Sequence, residues 1–251
     1  MNHEKFRPLP EALDMSGKRV VIIGAASGIG LEAARILAQL GARLVLVDVQ
    51  PLDAVVKTLS AVTHVEALQG DMGAPEFIER FNVFGTIDAL VLCAAAHYNE
   101  AWQGDARSHD RFHKIMDLNV RVPLDIGTAF VEKMADQGQG NIVLVGSVAG
   151  RSGGTSVNGP PDYAASKGAL HVIVRWLSRR AVGRGVVVNA VAPGPVNTPM
   201  TSGMQFDASL LPKGRMAEPS EIAWPIAFLC SPAASYMSGA IVDVNGGTFV
   251  G

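Results

Sequence analysis

Three things are scarce in this 251-residue chain: cysteine, charge and long apolar runs. Only two cysteines occur, Cys93 and Cys230, and no C-x-x-C pair. That excludes a disulfide framework and a zinc ribbon, and a reducing compartment is the simplest reading. Charged residues make up 18% of the chain and the formal net charge is −2. No run of five or six like charges occurs, so the basic surface that nucleic acid requires is absent. No stretch reaches the ~18 uninterrupted apolar residues of a membrane helix. The first residues, Met1 to Ser16, include Glu4, Arg7, Pro8, Pro10, Glu11 and Asp14. They form no apolar core of a signal peptide and read as a short N-terminal arm. The expectation is a cytoplasmic protein with no nucleic-acid partner and no membrane association.

Hydrophobic residues are plentiful, at 48%. A large core follows, and the length suits one α/β domain. Strand-length apolar runs recur at Arg19–Ile23, Leu44–Asp48, Val65–Gln69, Ile87–Leu92, Ile142–Val145, Val186–Val191 and Ala240–Val244. They are almost continuously apolar, as strands covered on both faces are. Between the first two, Ile29, Ala33, Ile36, Leu37 and Leu40 fall at helical spacing and Gly41 marks the helix end. Strand–helix alternation along the chain predicts a doubly wound, Rossmann-like parallel sheet of about seven strands with helices on both faces. No linker or repeat divides it, so residues 1–251 read as a single domain, with 1–16 as the arm.

Gly24-Ala25-Ala26-Ser27-Gly28-Ile29-Gly30 joins the first strand to the first helix. Glycines there permit a tight turn and close approach of a pyrophosphate to the backbone. The helix start then offers N–H groups and a positive dipole end to the phosphates. Asp48 ends the second strand about 20 residues on, where a carboxylate accepts bonds from ribose hydroxyls and repels a 2′-phosphate. Val49, Gln50 and Pro51 follow it, with no cation. NAD(H) is therefore expected rather than NADP(H).

Tyr163 and Lys167 are four residues apart in Asp162-Tyr163-Ala164-Ala165-Ser166-Lys167, one face of a helix. A free tyrosine has a pKa near ~10, which nearby positive charge lowers. With Lys167 and an oxidised nicotinamide beside it, Tyr163 is expected to titrate toward neutrality and exchange an alcohol proton. Ser147 follows a strand and is placed to hold the substrate oxygen.

Taken together, the chain from Gly17 to Gly247 resembles the short-chain dehydrogenase/reductase family, in its branch of about 250 residues. The glycine turn, Asp48, Gly70-Asp71-Met72, Asn119 in Asp117-Leu118-Asn119-Val120, Ser147, the Tyr163–Lys167 motif, Asn189-Ala190-Val191-Ala192-Pro193-Gly194 and Gly239–Gly247 occur in family order. The resemblance implies an NAD(H)-dependent oxidoreductase interconverting a secondary alcohol and a ketone, with a tetrad of Asn119, Ser147, Tyr163 and Lys167. Asn119 would shape a helix so that its carbonyl holds a relay water. The implied nucleotide contacts are Gly24, Ser27, Gly28, Ile29, Gly30, Asp48, Val49, Asp71, Met72, Cys93, Ala94 and Ala95. Tyr163, Lys167, Pro193, Gly194, Val196 and Thr198 complete them.

The chain also departs from the family. Ile23 replaces the usual threonine, and Leu92-Cys93-Ala94-Ala95 replaces Asn-Asn-Ala-Gly, which removes the asparagine tied to bracing the fourth strand. Ser147 and Tyr163 lie 16 residues apart, so 153–161 reads as an enlarged loop at the pocket mouth. Residues 200–214 correspond to the substrate lid. Its Met200, Met204 and Phe206, with His97 and Tyr98 after the fourth strand, suggest a pocket for a hydrophobic or cyclic substrate. His109 and His113 have ligand spacing but no third ligand, so no metal is expected. Family members are often homotetramers, and a homo-oligomer, tetramer or dimer, is expected here, with Val242 and the Gly-rich C-terminus compatible with a contact. Two other functions fit the same fold: a non-redox isomerase or lyase using bound NAD, and a non-catalytic NAD-binding scaffold.

Overall fold

The computed structural model describes residues 9–98, 100, 102–154, 160–204 and 207–251. Seven strands form one sheet: β1 Arg19–Ile23, β2 Arg43–Asp48, β3 Val65–Gln69, β4 Ala89–Leu92, β5 Gly140–Val145, β6 Val186–Pro193 and β7 Ile241–Val244. All pair in parallel, in the order β3-β2-β1-β4-β5-β6-β7. The order reverses between β1 and β4, and the crevice beyond the strand ends at such a switch is where open α/β sheets bind ligands.

The helices are α1 Leu9–Leu13, α2 Gly28–Gln39, α3 Asp53–Leu59, α4 Ala106–Met116, α5 Val122–Gln137, α6 Ala149–Ser152, α7 Pro161–Ala181 and α8 Pro219–Cys230. Alternate strand residues point to opposite faces, so each strand feeds two cores. Val20, Ile22, Leu44, Leu46 and Val91 pack with Ala33 and Leu37 of α2 and Ile222 and Ile226 of α8. Val21, Ile23, Val45, Val47 and Leu90 pack with Phe130 of α5, Leu170, Val174 and Leu177 of α7, and Phe77 and Phe81 of the 3₁₀ segment Pro75–Phe84. Burying each of the larger of these side chains contributes about 1.5–3 kcal/mol. Among the described residues no helix is long and apolar enough to cross a membrane.

Sequence and structure agree closely at α2. Gly41, at φ +90°, donates to Ala38 O, and Ala42 donates to Leu37 O. This is the paired bonding of a left-handed helix stop, which glycine adopts without strain. Five strand ends differ from expectation by one or two residues: β2 starts at Arg43, β5 at Gly140 and β7 at Ile241, and two more have visible causes. β4 starts at Ala89 rather than Ile87, because Ile87 exchanges both backbone bonds with the Gln137 amide. β6 runs on to Pro193, which needs no N–H there because it pairs with Val244 at the strand's end. The bracing of β4 without the family asparagine is done by backbone: Cys93 and Ala94 N–H both donate to Ile23 O, at 2.9 and 3.0 Å.

Candidate active site

The glycine turn is held by its own backbone. Gly24 and Ala25 donate to Val47 O at 2.8 and 3.2 Å. Gly24 has φ +89°, and a Cβ there would sit 2.6 Å from Ala94 N. A Cβ on Gly30 would sit 2.0 Å from Gly24 O, so this glycine is required for helix-to-turn packing. Ser27 precedes α2 in extended conformation with no side-chain cap. The first N–H groups of α2 are thereby left for a ligand.

In front of this turn lies a cleft of about 450 Å³. Asp48, Val49, Asp71 and Met72 line one end. Gly24, Ser27, Gly28, Ile29, Cys93, Ala94 and Ala95 line the middle, and Ser147, Tyr163, Lys167, Pro193, Gly194, Val196 and Thr198 the other end. Gly30 and Asn119 are not among the lining residues; both are buried behind it. Leu118, Gly146, Pro199 and Thr201 line the cleft although the sequence did not single them out as contacts. Leu118, Gly146 and Pro199 flank Asn119, Ser147 and Thr198, which was the available signal, and Thr201 accepts from Thr198 N–H at 3.1 Å.

Asp48 is oriented by two bonds. Its Oδ2 accepts from Ala26 N–H at 2.9 Å and its Oδ1 from Gln50 N–H at 3.0 Å. Each oxygen retains acceptor capacity toward the cleft. Lys167 is the one cation among the described lining residues. A dinucleotide fits this donor set: open helix N–H groups at mid-cleft, a carboxylate for a ribose and a hydroxyl pair at the far end.

At that far end α7 brings Tyr163 and Lys167 against the end of β5. Ser147 and Tyr163 line this end of the cleft together, and Ala149 N–H donates to Ser147 Oγ at 3.1 Å. Lys167 Nζ donates to Val145 O at 2.8 Å and lies 5.8 Å from the centre of the Tyr163 ring. Asn119 sits in a π-helical turn, Asp117–Arg121, between α4 and α5. Its amide exchanges bonds with Ala96 backbone at 2.7 and 2.9 Å and donates to Ser166 Oγ at 3.1 Å. The loop after β4 is thus tied to α7 one residue before Lys167.

Beyond Ser147 and Tyr163 opens a side cavity of about 130 Å³. Val148, Ala164, Pro195, Met200 and Met204 give it apolar walls, and His97 and Thr201 polar ones. His97 packs edge-to-face on Tyr163, ring centres 4.6 Å apart. Phe206 and most of the 153–161 loop, residues 155–159, lie outside the described residues.

The comparisons with known proteins point the same way as this geometry. A family model described as enoyl-(acyl carrier protein) reductase matches residues 24–248. Galactitol 2-dehydrogenase (L-tagatose-forming) from Cereibacter sphaeroides is 38% identical over 93% of this chain and 95% of its own. The chain belongs to the short-chain dehydrogenase/reductase family. Its structure superposes on a 3-oxoacyl-(acyl-carrier-protein) reductase of Agrobacterium tumefaciens C58 with NADP bound, at TM-score 0.88 and 25% identity, covering 98% of this chain and 100% of the other. It also superposes on 7α-hydroxysteroid dehydrogenase complexed with NADH and 7-oxo glycochenodeoxycholic acid, at TM-score 0.86 and 28% identity, covering 94% and 96%. The protein is an oxidoreductase of this family.

The lowered phenol expected of Tyr163 belongs to a site that also holds an oxidised nicotinamide. In the protein alone, burial pushes the phenol up to about 12, with Ser147 opposing the rise and Cys93 adding to it. Lys167 does not counter this, because burial brings the amine itself down to about 8. Desolvation penalises the charged form of both groups, in opposite directions.

His171, one turn beyond Lys167 on α7, is buried and its Nε2 has no partner among the described residues. Burial, then the charges of Arg151, Lys167 and Arg175, bring its imidazole down to about 4 from 6.5. Between those values the unfolded chain binds a proton that the folded chain refuses. Stability therefore rises as pH climbs from 4 to 6.5. The melting temperature is expected to rise across pH 5–6.5, above the range where carboxylates titrate, and to rise less in His171→Gln. Parallel curves for the two proteins in calorimetry would contradict this reading.

Proposed function

We propose that this protein is an NAD(H)-dependent oxidoreductase that interconverts a secondary alcohol and a ketone, with a hydrophobic or cyclic substrate. The observation that carries the reading is the placement of Ser147 and Tyr163 together where the long cleft meets the apolar side cavity. Lys167, Gly194 and Thr198 would hold a nicotinamide at that end of the cleft, where it would supply the hydride chemistry. Ser147 holds the substrate oxygen. Tyr163 gives the proton to a forming alcohol or takes it from a reacting one. Lys167 stands beside the phenol and, through Val145 O, is fixed to β5. Asn119 braces the helix start and the loop after β4 against each other, and its turn is the proposed place of a relay water to Lys167.

Asp48 supports NAD(H): it faces the cleft with its carboxylate bonded on both oxygens, and no cation follows it. Met200 and Met204 in the 200–214 lid support an apolar substrate. Residues 1–251 act as a single domain in this reading, and the protein assembles as a homo-oligomer in the cytoplasm. The deciding experiment follows reduced-nicotinamide absorbance across cyclic, aromatic and aliphatic secondary alcohols, with NAD and NADP in parallel. Turnover with NAD, strongest on apolar or cyclic alcohols, is expected. Preference for small charged hydroxy acids would end the apolar-pocket reading, and product formation without net NADH change would indicate an isomerase or lyase.

A further inference from the structure

A buried ion pair sits next to the tyrosine, built from residues 51 apart in the chain. Arg111 of α4 has only 6% of its side chain exposed, and Asp162 of α7 has none. Arg111 Nε donates to Asp162 Oδ2 at 2.8 Å. Asp162 Oδ1 accepts the backbone N–H of Tyr163 itself at 2.9 Å. Nη1 of the same guanidinium donates to the Glu100 backbone carbonyl at 2.8 Å, with the Glu100 carboxylate 3.8 Å away. The Trp102 ring lies 5.8 Å from the guanidinium carbon. Glu100 and Trp102 belong to the loop after β4, and that loop also carries His97, which packs on the Tyr163 ring. One planar side chain therefore ties the start of the tyrosine helix to the loop that carries His97 into the side cavity's lining.

Burying two charges is costly, and a well-packed apolar pair of the same volume often serves stability as well or better. What the pair supplies that apolar residues cannot is a fixed angle. A guanidinium donates in several set directions at once, which a lysine amine does not reproduce. Angle matters at this position, because a proton donor must lie within about 2.6–3.2 Å of its substrate oxygen. A displacement near 1 Å costs on the order of 10²-fold in rate.

We propose that Arg111 and Asp162 are positioning residues: their ion pair sets Tyr163 and the His97 loop in register across the substrate cavity, and so governs turnover of bound substrate rather than nucleotide affinity. This rests on the oxidoreductase reading above.

The test compares Arg111→Met, Arg111→Lys and Asp162→Asn with the parent protein, each assayed well below its own melting temperature. For Arg111→Met, kcat is expected to fall on the order of 10²-fold, while the Kd for NADH, read by fluorescence, stays within about threefold. Arg111→Lys restores part of kcat, and Asp162→Asn behaves like Arg111→Met. Hydrogen exchange in Arg111→Met is expected to accelerate at Trp102–Asp105 and Tyr163–Ser166 and not in the glycine turn. An unchanged kcat, an equal loss of kcat and NADH affinity, or a lysine variant no better than methionine would each overturn the proposal. If the parent protein turns over no alcohol or ketone, the oxidoreductase reading fails by itself. The exchange pattern then decides the clamp alone: acceleration confined to those two segments supports it, and no acceleration there refutes it.

Discussion

Tyr163→Phe is expected to lower kcat roughly 10²–10⁴-fold in both directions, with NADH affinity little changed. The substitution removes one oxygen and keeps the ring, so the edge-to-face contact with His97 and the Lys167 approach survive. Ser147 keeps the Ala149 N–H bond that orients it. What disappears is the group that exchanges the substrate proton. A variant retaining activity within about tenfold of the parent on the best alcohol would remove Tyr163 from the chemistry.

The pH dependence carries the sign of the same group. In the protein alone, burial holds the Tyr163 phenol near 12. A cation bound against it favours the phenolate, so oxidised nicotinamide lowers this value. Alcohol oxidation needs the phenolate and is expected to rise with pH, its limb lying well under that of the free protein. Ketone reduction needs the phenol and falls with pH over the same range. Phenolate absorbance titrations of the parent minus Tyr163→Phe isolate this residue from Tyr98 and Tyr236, the latter fully exposed. No downward movement on adding NAD would refute the charge argument.

What the sequence made legible is what local chemistry determines. Apolar runs mark the central strands, because a strand covered on both faces has no polar side, while the edge strands β3 and β7 carry Glu66, Gln69 and Asp243. The glycine turn and the stop at Gly41 are legible because only glycine meets the backbone conformation or the close contact there. Spacing alone places Tyr163 and Lys167 on one helix face. Less legible were strand ends decided by distant partners, as where Gln137 takes the backbone bonds of Ile87. The Arg111–Asp162 pair was not legible at all. Neither residue carries a local pattern, and only the packing of α4 on α7 makes them neighbours. The burial of Tyr163 and Lys167 was not legible either. Sequence displays the lysine charge but not the desolvation, which in the protein alone raises the phenol and lowers the amine.

Cofactor choice is expected to turn on Asp48, and to be reversible by two substitutions. A 2′-phosphate about 5 Å from the carboxylate would be repelled by about 3 kcal/mol per unit charge pair at an effective dielectric near 20, roughly 10²-fold. The parent should accordingly favour NAD over NADP by 10²-fold or more in kcat/KM. Asp48 has a second task, since it accepts from Ala26 N–H inside the glycine turn and from Gln50 N–H. Truncation would lose both turn bonds, so the more informative change is Asp48→Asn, which removes the charge and keeps an acceptor for one of the two backbone N–H groups. It is expected to lose about tenfold with NAD, through weaker bonds to the ribose hydroxyls. Adding Val49→Arg places a guanidinium at an exposed position on the cleft's rim, where it can pair with the phosphate. The double variant should prefer NADP. Steady-state kinetics with both nucleotides on one alcohol checks each step. Equal use of NAD and NADP by the parent would remove Asp48 as the discriminating residue. A parent that prefers NAD and an Asn variant that still rejects NADP would shift discrimination from charge to the shape of the turn.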